Sequence, residues 1–134
     1  MLILDVLACN VAARPQHSFL WHAGRRISYG EFDRLTNRAA HALISRGVAP
    51  GDRVTLAFQN SLEWPIAAFG VLKAAAVLHP VNPALGSSEL EYVLGHAQPK
   101  VILAAAERVA AIAAVAPPTA SVLALPRATE EFSG

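Results

Sequence analysis

Hydrophobic and polar positions between residues 27 and 48 alternate with the period of an amphipathic helix. Polar side chains fill one face, and the opposite face carries apolar residues at helical spacing, namely Phe32, Leu35, Ala39 and Leu43. Ser28 and Glu31 have the spacing of a capping box at the start of this helix. Gly47 supplies a residue that accepts the left-handed conformation at its end, and Val48 follows as an apolar contact. The sequence therefore predicts a helix over 29–46 with both ends specified.

A turn and a strand follow this helix. Pro50 and Gly51 suit the two central positions of a type II turn. Asp52 is expected to fix the turn, and Arg53 to pair locally. The apolar residues 54–58 then predict a strand that starts at Arg53.

The same patterns predict the other elements. Pro65 is awkward inside a helix, so the helix that opens at residue 60 or 61 should start late or be distorted. The predicted elements are a helix over 2–13, a hairpin of strands 17–21 and 25–28, a helix from 60 or 61 to about 75, a short buried strand at 77–78 with a stiff loop at 80–83, a helix from 88 to about 96, a strand over 100–104, a helix over 105–115 and a strand over 121–125.

Strands that alternate with helices favour parallel pairing and right-handed crossovers. The predicted fold class is α/β, with a mostly parallel sheet, helices on both faces, and a short helix and small β-hairpin in front. Residues 1–125 are expected to form one domain and residues 126–134 a polar tail.

Composition and charge exclude several classes of protein. A formal net charge of +1 gives no reason to expect nucleic acid or an anionic membrane as a partner. Cys9 is the single cysteine, so an internal disulfide framework is excluded and a reducing compartment is favoured. The apolar start of the chain lacks a basic region before it, and no apolar run is long enough to cross a bilayer. We expect a cytoplasmic protein without a transmembrane segment.

Four short motifs in this order resemble the beginning of the adenylate-forming (AMP-binding) enzymes, most of all the acyl-CoA synthetases. They are S-Y-x-E followed by N-R-x-A at 28–40, G-V-x-P-G-D-R-V at 47–54, N-S-x-E at 60–63, and V-L-K-A-x-A-V-x-x-P-V-N-P at 71–83. The resemblance covers roughly residues 1–105. Where such enzymes usually have glycine after Lys-Ala, this chain has Ala75.

The resemblance implies the N-terminal part of an enzyme that activates a carboxylic acid with ATP and Mg²⁺ and passes the acyl group to CoA. The Ser/Thr/Gly-rich phosphate loop and the later motifs of such enzymes do not occur in this sequence. We therefore expect no catalytic and no cofactor-binding residue here, and no activity of the chain alone. The acid could be a fatty acid, malonate or an aryl acid. The alternative is a free-standing, non-catalytic α/β binding or interaction module derived from that family.

Individual residues give fewer chemical hypotheses. His79 and Asn82 are candidate contacts of a substrate pocket, although a partly exposed histidine and turn hydrogen bonds are the plainer interpretations. Lys73 is expected to extend along the surface to water. No metal site is expected, and exposed apolar surface could support a homo-oligomer. The residues assigned structural roles are Ser28, Glu31, Gly47, Pro50, Gly51, Asp52, Arg53, Asn60, Pro80 and Pro83.

Overall fold

A computed structural model describes residues 2–125 of the chain, so the predicted tail at 126–134 lies outside the described residues. The elements in chain order are α1 (Ile3–Ala13), β1 (Ser18–His22), β2 (Arg25–Ser28), α2 (Tyr29–Ser45), β3 (Arg53–Ala57), α3 (Glu63–Lys73), β4 (Val77–Pro80), α4 (Ser87–Ala97), β5 (Val101–Ala104), a 3₁₀ turn (Ala106–Arg108), α5 (Val109–Ala113) and β6 (Ser121–Ala124).

Four strands form one parallel sheet in the order β4-β3-β5-β6, and β1 and β2 form a separate antiparallel hairpin. Because β3 lies in the middle, the chain moves first to one side of it and then to the other. The predicted α/β fold class, including the leading helix and the hairpin, is confirmed.

Side chains of β3 alternate between two buried layers. Val54 and Leu56 belong to a cluster that includes Leu43 of α2 and residues of α3. Ala57 belongs to a second cluster, which includes Leu94 of α4. Alternate residues of a strand point to opposite faces, so α2 and α3 cover one face of the sheet and α4 and α5 the other. A third cluster joins α1, the hairpin, α2 and α3.

Both ends of α2 form as their residues predict, with one difference. The Ser28 hydroxyl accepts a hydrogen bond from the Glu31 amide at 3.2 Å. The Glu31 carboxylate, however, lies 3.6 Å from the Arg25 guanidinium in the neighbouring strand, so the reciprocal half of the capping box is replaced by an ion pair. Gly47 has a φ of +88°. The amides of Gly47 and Val48 bond back to the last turn of α2, in the pattern of a Schellman motif.

The turn before β3 is held by main-chain and side-chain bonds. Gly51 has a φ of +86°, and the Asp52 amide donates to the Ala49 carbonyl at 3.0 Å. The Asp52 carboxylate accepts from the Ala49 amide at 2.8 Å, so it closes the turn from the other side. Arg53 does not pair locally. Its guanidinium donates to the Ala97 carbonyl at the end of α4, 2.9 Å away.

The helix α3 starts at Glu63, later than residue 60 or 61, which places Pro65 in its first turn. It crosses α2 closely at Gly70. A Cβ added at Gly70 would lie 2.5 Å from the Cβ of Ala39, so only glycine fits this crossing without displacement.

Two expectations about residues 73–77 were wrong. Lys73 does not extend to water, because its ammonium donates to Asp33 and Asn37 of α2, each at 2.7 Å, and its side chain is only 16% exposed. The strand β4 is not fully buried, since Val77 is 47% exposed at the edge of the sheet. Both results depend on which segments become neighbours, and local sequence does not specify that.

Candidate functional site

An open cleft lies at the carboxyl edge of the parallel sheet. The chain leaves β3 toward β4 on one side, and the next strand, β5, pairs with β3 on its other side. In open α/β sheets, ligands bind where the strand order reverses in this way, since the loops after the two strands turn in opposite directions and leave a crevice. The reversal here falls between β3 and β5.

The loops that follow all four strands of this sheet contribute to the cleft, which has a volume of about 560 Å³. Polar groups come mostly from the segment between β3 and α3, and charged groups from the start of α3 and the 3₁₀ turn after β5. The lining residues are Ala57, Phe58, Gln59, Asn60, Ser61, Glu63, Pro83, Ala84, Ala105, Ala106, Glu107, Arg108 and Leu125.

The charges of this lining do not suit a triphosphate. Phosphoryl groups require a cluster of backbone amides with a lysine or a metal ion close by. Among the described residues, the lining contains one cationic side chain, Arg108, and two acidic side chains, Glu63 and Glu107. The described lining therefore holds no cluster of cationic side chains for phosphoryl groups, whereas its alanine, proline and leucine side chains suit an apolar or neutral group.

The loop after β4 borders the cleft, but Asn82 itself holds the loop. Its side-chain oxygen accepts a hydrogen bond from the Ala84 amide at 2.9 Å, which is an Asx turn. Pro83 and Ala84 then line the cleft. Asn60, which the sequence suggested as a structural residue, also lies in the lining.

His79 is placed within β4, directly beside Thr55 of β3. Its Nδ1 lies 2.8 Å from the hydroxyl of Thr55, which is fully buried. Burial lowers the pKa of His79 below its usual 6.5, and the nearby charges of Arg53 and His96 lower it further. His79 is not among the residues that line the cleft. The structure therefore gives the neutral imidazole a hydrogen-bonding role between two strands.

Gln59, Ser61 and Arg108 line the cleft without having been singled out from the sequence. The available signal was their position in the sequence, because each follows a predicted strand by a few residues. The carboxyl ends of parallel strands lie at the same edge of a sheet, so such residues can meet there. Using that signal required knowing that β3 and β5 are neighbours.

Residues 2–125 contain neither a helix that could span a membrane nor a cluster of metal-binding side chains. No helix in this part of the chain is long and apolar enough to cross a bilayer. The same residues contain no group of three or more histidine, cysteine, aspartate or glutamate side chains arranged to hold a metal ion.

The model of a family described as AMP-binding enzyme matches residues 7–132. Phosphinothricin tripeptide synthetase PhsC of Streptomyces viridochromogenes is 36% identical over 89 residues, 66% of this chain and 8% of that protein. A medium/long-chain-fatty-acid–CoA/3-oxocholest-4-en-26-oate–CoA ligase of Mycolicibacterium smegmatis is 36% identical over 91 residues, 68% of this chain and 16% of the ligase. The chain thus spans less than a fifth of the length of either relative.

Solved structures resemble the described fold closely. ATP-bound MatB from Rhodopseudomonas palustris superposes with a TM-score of 0.83 at 30% identity, over 90% of this chain and 25% of MatB. The N-terminal domain of FACL13 from Mycobacterium tuberculosis superposes with a TM-score of 0.85 at 26% identity, over 96% of this chain and 35% of that structure.

Proposed function

The chain belongs to the family of AMP-binding enzymes, and from this premise we propose that it is the N-terminal part of an ATP-dependent carboxylic acid–CoA ligase. The observation that carries the proposal is the superposition of 96% of the chain on the N-terminal domain of FACL13. Because the match covers 96% of the chain, the parallel sheet at whose edge the cleft lies falls within this shared fold. The fatty-acid–CoA ligase of M. smegmatis supports the choice of CoA as acyl acceptor.

In this proposal the cleft contributes one wall of the acid pocket. Ala84 and Leu125 give it apolar surface, and Gln59 and Asn60 give it neutral hydrogen-bonding groups. Such a lining suits the body of an organic acid, because most of the described lining residues are uncharged. Asn82 would act indirectly, since its Asx turn positions Ala84. We propose a fatty acid as the substrate class, supported by the name of the M. smegmatis ligase, with malonate or an aryl acid as the alternatives, and we propose a cytoplasmic enzyme.

The chain by itself is proposed to be unable to form an acyl-adenylate. No Ser/Thr/Gly-rich loop that ends in Pro-Lys-Gly occurs in the sequence, and Arg108 is the one cationic side chain among the described residues that line the cleft. The chemistry with MgATP and the transfer to CoA would use groups that other parts of the intact enzyme provide. Residues 1–125 are proposed as one structural unit of that enzyme.

Acid-dependent exchange of pyrophosphate into ATP tests this assignment. A longer protein that includes the phosphate loop should catalyse exchange with a fatty acid and form an acyl-CoA, and the 134-residue chain should do neither. Exchange catalysed by the 134-residue chain alone would contradict the proposal that other parts of the enzyme provide the groups that react with ATP. Exchange without acyl-CoA, with transfer to a carrier-protein thiol, would favour a peptide-synthetase adenylation domain, the class to which PhsC belongs.

A single variant of the longer protein tests the proposed wall. Ala84→Leu should fill part of the cleft and raise KM for long acids more than for short ones, because Ala84 is exposed to the cleft. Ala114→Leu, at an exposed alanine after α5, is the matched control and should leave both KM values unchanged. Equal changes in KM for the two variants would show that the cleft is not part of the acid pocket.

A further inference from the structure

One side-chain hydrogen bond joins β3 to β4 close to the cleft. The Thr55 hydroxyl lies 2.8 Å from Nδ1 of His79, and the two residues are directly paired in the parallel register. Among the described residues, β4 is paired with β3 alone, because it lies at the edge of the sheet. No other side-chain hydrogen bond between these two strands occurs in that part of the chain. The position of β4 at this end therefore depends on its main-chain bonds to β3 and on this one contact.

The burial of Thr55 determines which partner of this bond donates. Its side chain is fully buried, and within the described part of the chain its only hydrogen-bond partner is His79. A buried hydroxyl that lacks an acceptor for its hydrogen is costly, so the Thr55 hydroxyl donates and Nδ1 accepts. The proton of the neutral imidazole is then on Nε2.

Protonation of His79 would remove the acceptor. Both ring nitrogens of an imidazolium donate, so Nδ1 could no longer accept a hydrogen bond. The hydrogen of the Thr55 hydroxyl would then be buried without a partner. The bond between the two strands is therefore specific for the neutral ring.

The surroundings of His79 also oppose its protonation. Burial lowers its pKa most, and the charges of Arg53 of β3 and His96 of α4, which packs on the same face of the sheet, lower it further. α3 packs on the opposite face, where Glu63 lines the cleft and the Lys73 ammonium is paired with a carboxylate of α2. The neutral ring and its hydrogen bond are therefore present above pH 6.5 and are lost as the pH falls through the lower folded value.

A stiff connection passes the position of His79 on to the cleft. The five residues that follow it include two prolines, whose φ angles are fixed. The Val81 amide donates to the Leu56 carbonyl at 3.0 Å. The Ala84 amide donates to the Asn82 side chain at 2.9 Å, and Ala84 lines the cleft. A displacement of His79 relative to β3 would therefore move this wall and would not be absorbed within the loop.

We propose that Thr55 and His79 are positioning residues of the cleft. Their hydrogen bond sets the distance between the wall after β3, which begins at Ala57, and the wall at Ala84, so binding of the acid depends on the protonation state of His79. This role rests on the proposed function, because the acid would bind between those two walls. Neither residue lines the cleft, so substrate binding should change more than the rate of reaction.

Nuclear magnetic resonance of the 134-residue chain tests the hydrogen bond independently of enzyme activity. The imidazole nitrogen shifts should show His79 protonated on Nε2 at neutral pH. Thr55→Val should lower the hydrogen-exchange protection of the Val81 amide, relative to the amides of β5, by about three- to tenfold, and Thr55→Ser should restore it. Thr36→Val is the matched control, since it removes a buried hydroxyl within α2, and it should leave this ratio unchanged.

The pH dependence of KM in the longer protein tests the consequence for binding. Thr55→Val should raise KM for the acid by about three- to tenfold at neutral pH, with a smaller change in kcat. In the parent, KM should rise as the pH falls below 6.5. His79→Asn should keep the neutral KM and abolish that rise, because its side-chain oxygen can accept from Thr55 but cannot take up a proton. His22→Asn, at the exposed hairpin turn, should keep the parent profile.

The outcomes separate this role from the proposed function. A proton on Nδ1 of His79 at neutral pH, or an unchanged exchange ratio in Thr55→Val, would overturn the positioning role. So would an equal rise of KM at acidic pH in the parent and in His79→Asn, or a loss of kcat with KM unchanged. A longer protein without exchange at any pH would instead refute the proposed function, and the measurements on the 134-residue chain would still decide whether the bond holds the loop.

Discussion

Ala75 has a backbone conformation that alanine rarely adopts, and replacing it with glycine should stabilise the protein. Its φ is +58°, in the left-handed region. The residue cannot relax easily, because its amide donates to the Leu72 carbonyl at 3.0 Å and its carbonyl accepts from the Gly51 amide at 2.9 Å. The Ala76 amide also bonds to the Val71 carbonyl at 3.1 Å, which completes a Schellman motif at the end of α3.

The size of the effect follows from two opposing contributions. An L-residue in the left-handed conformation costs about 1–2 kcal/mol, which glycine avoids. Glycine also gives the unfolded chain more freedom, and this lowers stability by about 0.4–1 kcal/mol. Ala75 is exposed, so removing its methyl group loses little packing. Ala75→Gly should therefore raise the free energy of unfolding by about 0.5–1 kcal/mol, or the Tm by about 2–5 °C.

Urea and thermal unfolding of the 134-residue chain, analysed with a common m-value, measure this change. Gly47→Ala is the reverse control, because Gly47 ends α2 in the same motif at φ +88° and an added Cβ would meet only Lys100 Cε, at an ordinary contact distance of 3.8 Å; it should lose a similar amount. Ala110→Gly, at an exposed helical position of α5, should lose about 0.8–1 kcal/mol. If Ala75→Gly lost stability as Ala110→Gly does, the argument from backbone strain would be refuted.

Two further substitutions test the packing of α2 on α3 and the bond between β3 and β4. Gly70→Ala should lower the free energy of unfolding by about 1–2 kcal/mol, because its methyl group would meet Ala39. In a double-mutant cycle, adding Ala39→Gly should recover part of this loss, and no recovery would contradict the close contact. The lowered pKa of His79 means that protonation favours the unfolded chain, so this contribution to stability is present above pH 6.5 and is lost as the pH falls through the lower folded value. His79→Asn, which cannot take up that proton, should reduce the drop in Tm between neutral and acidic pH, whereas His22→Asn at the exposed hairpin turn should leave it unchanged. Equal drops in parent and His79→Asn would refute this assignment.

The sequence by itself determined the elements and several of their ends. Ser28 caps α2, Gly47 ends it, and Pro50 and Gly51 form the turn before β3. Each of these signals acts through hydrogen bonds or steric limits within about six residues, so it can be interpreted without knowing the rest of the fold. The alternation of strands and helices likewise sufficed for the fold class, and the ordered motifs for the family.

Only the tertiary structure decided which segments became neighbours. Lys73 reaches Asp33, Arg53 reaches Ala97, and Gly70 meets Ala39, each across more than thirty residues of chain. The cleft also depends on which segments become neighbours, because it exists only where β3 lies between β4 and β5. Strand order and helix crossings depend on the simultaneous burial of distant apolar faces. No local pattern encodes that condition, so the site had to be located in three dimensions.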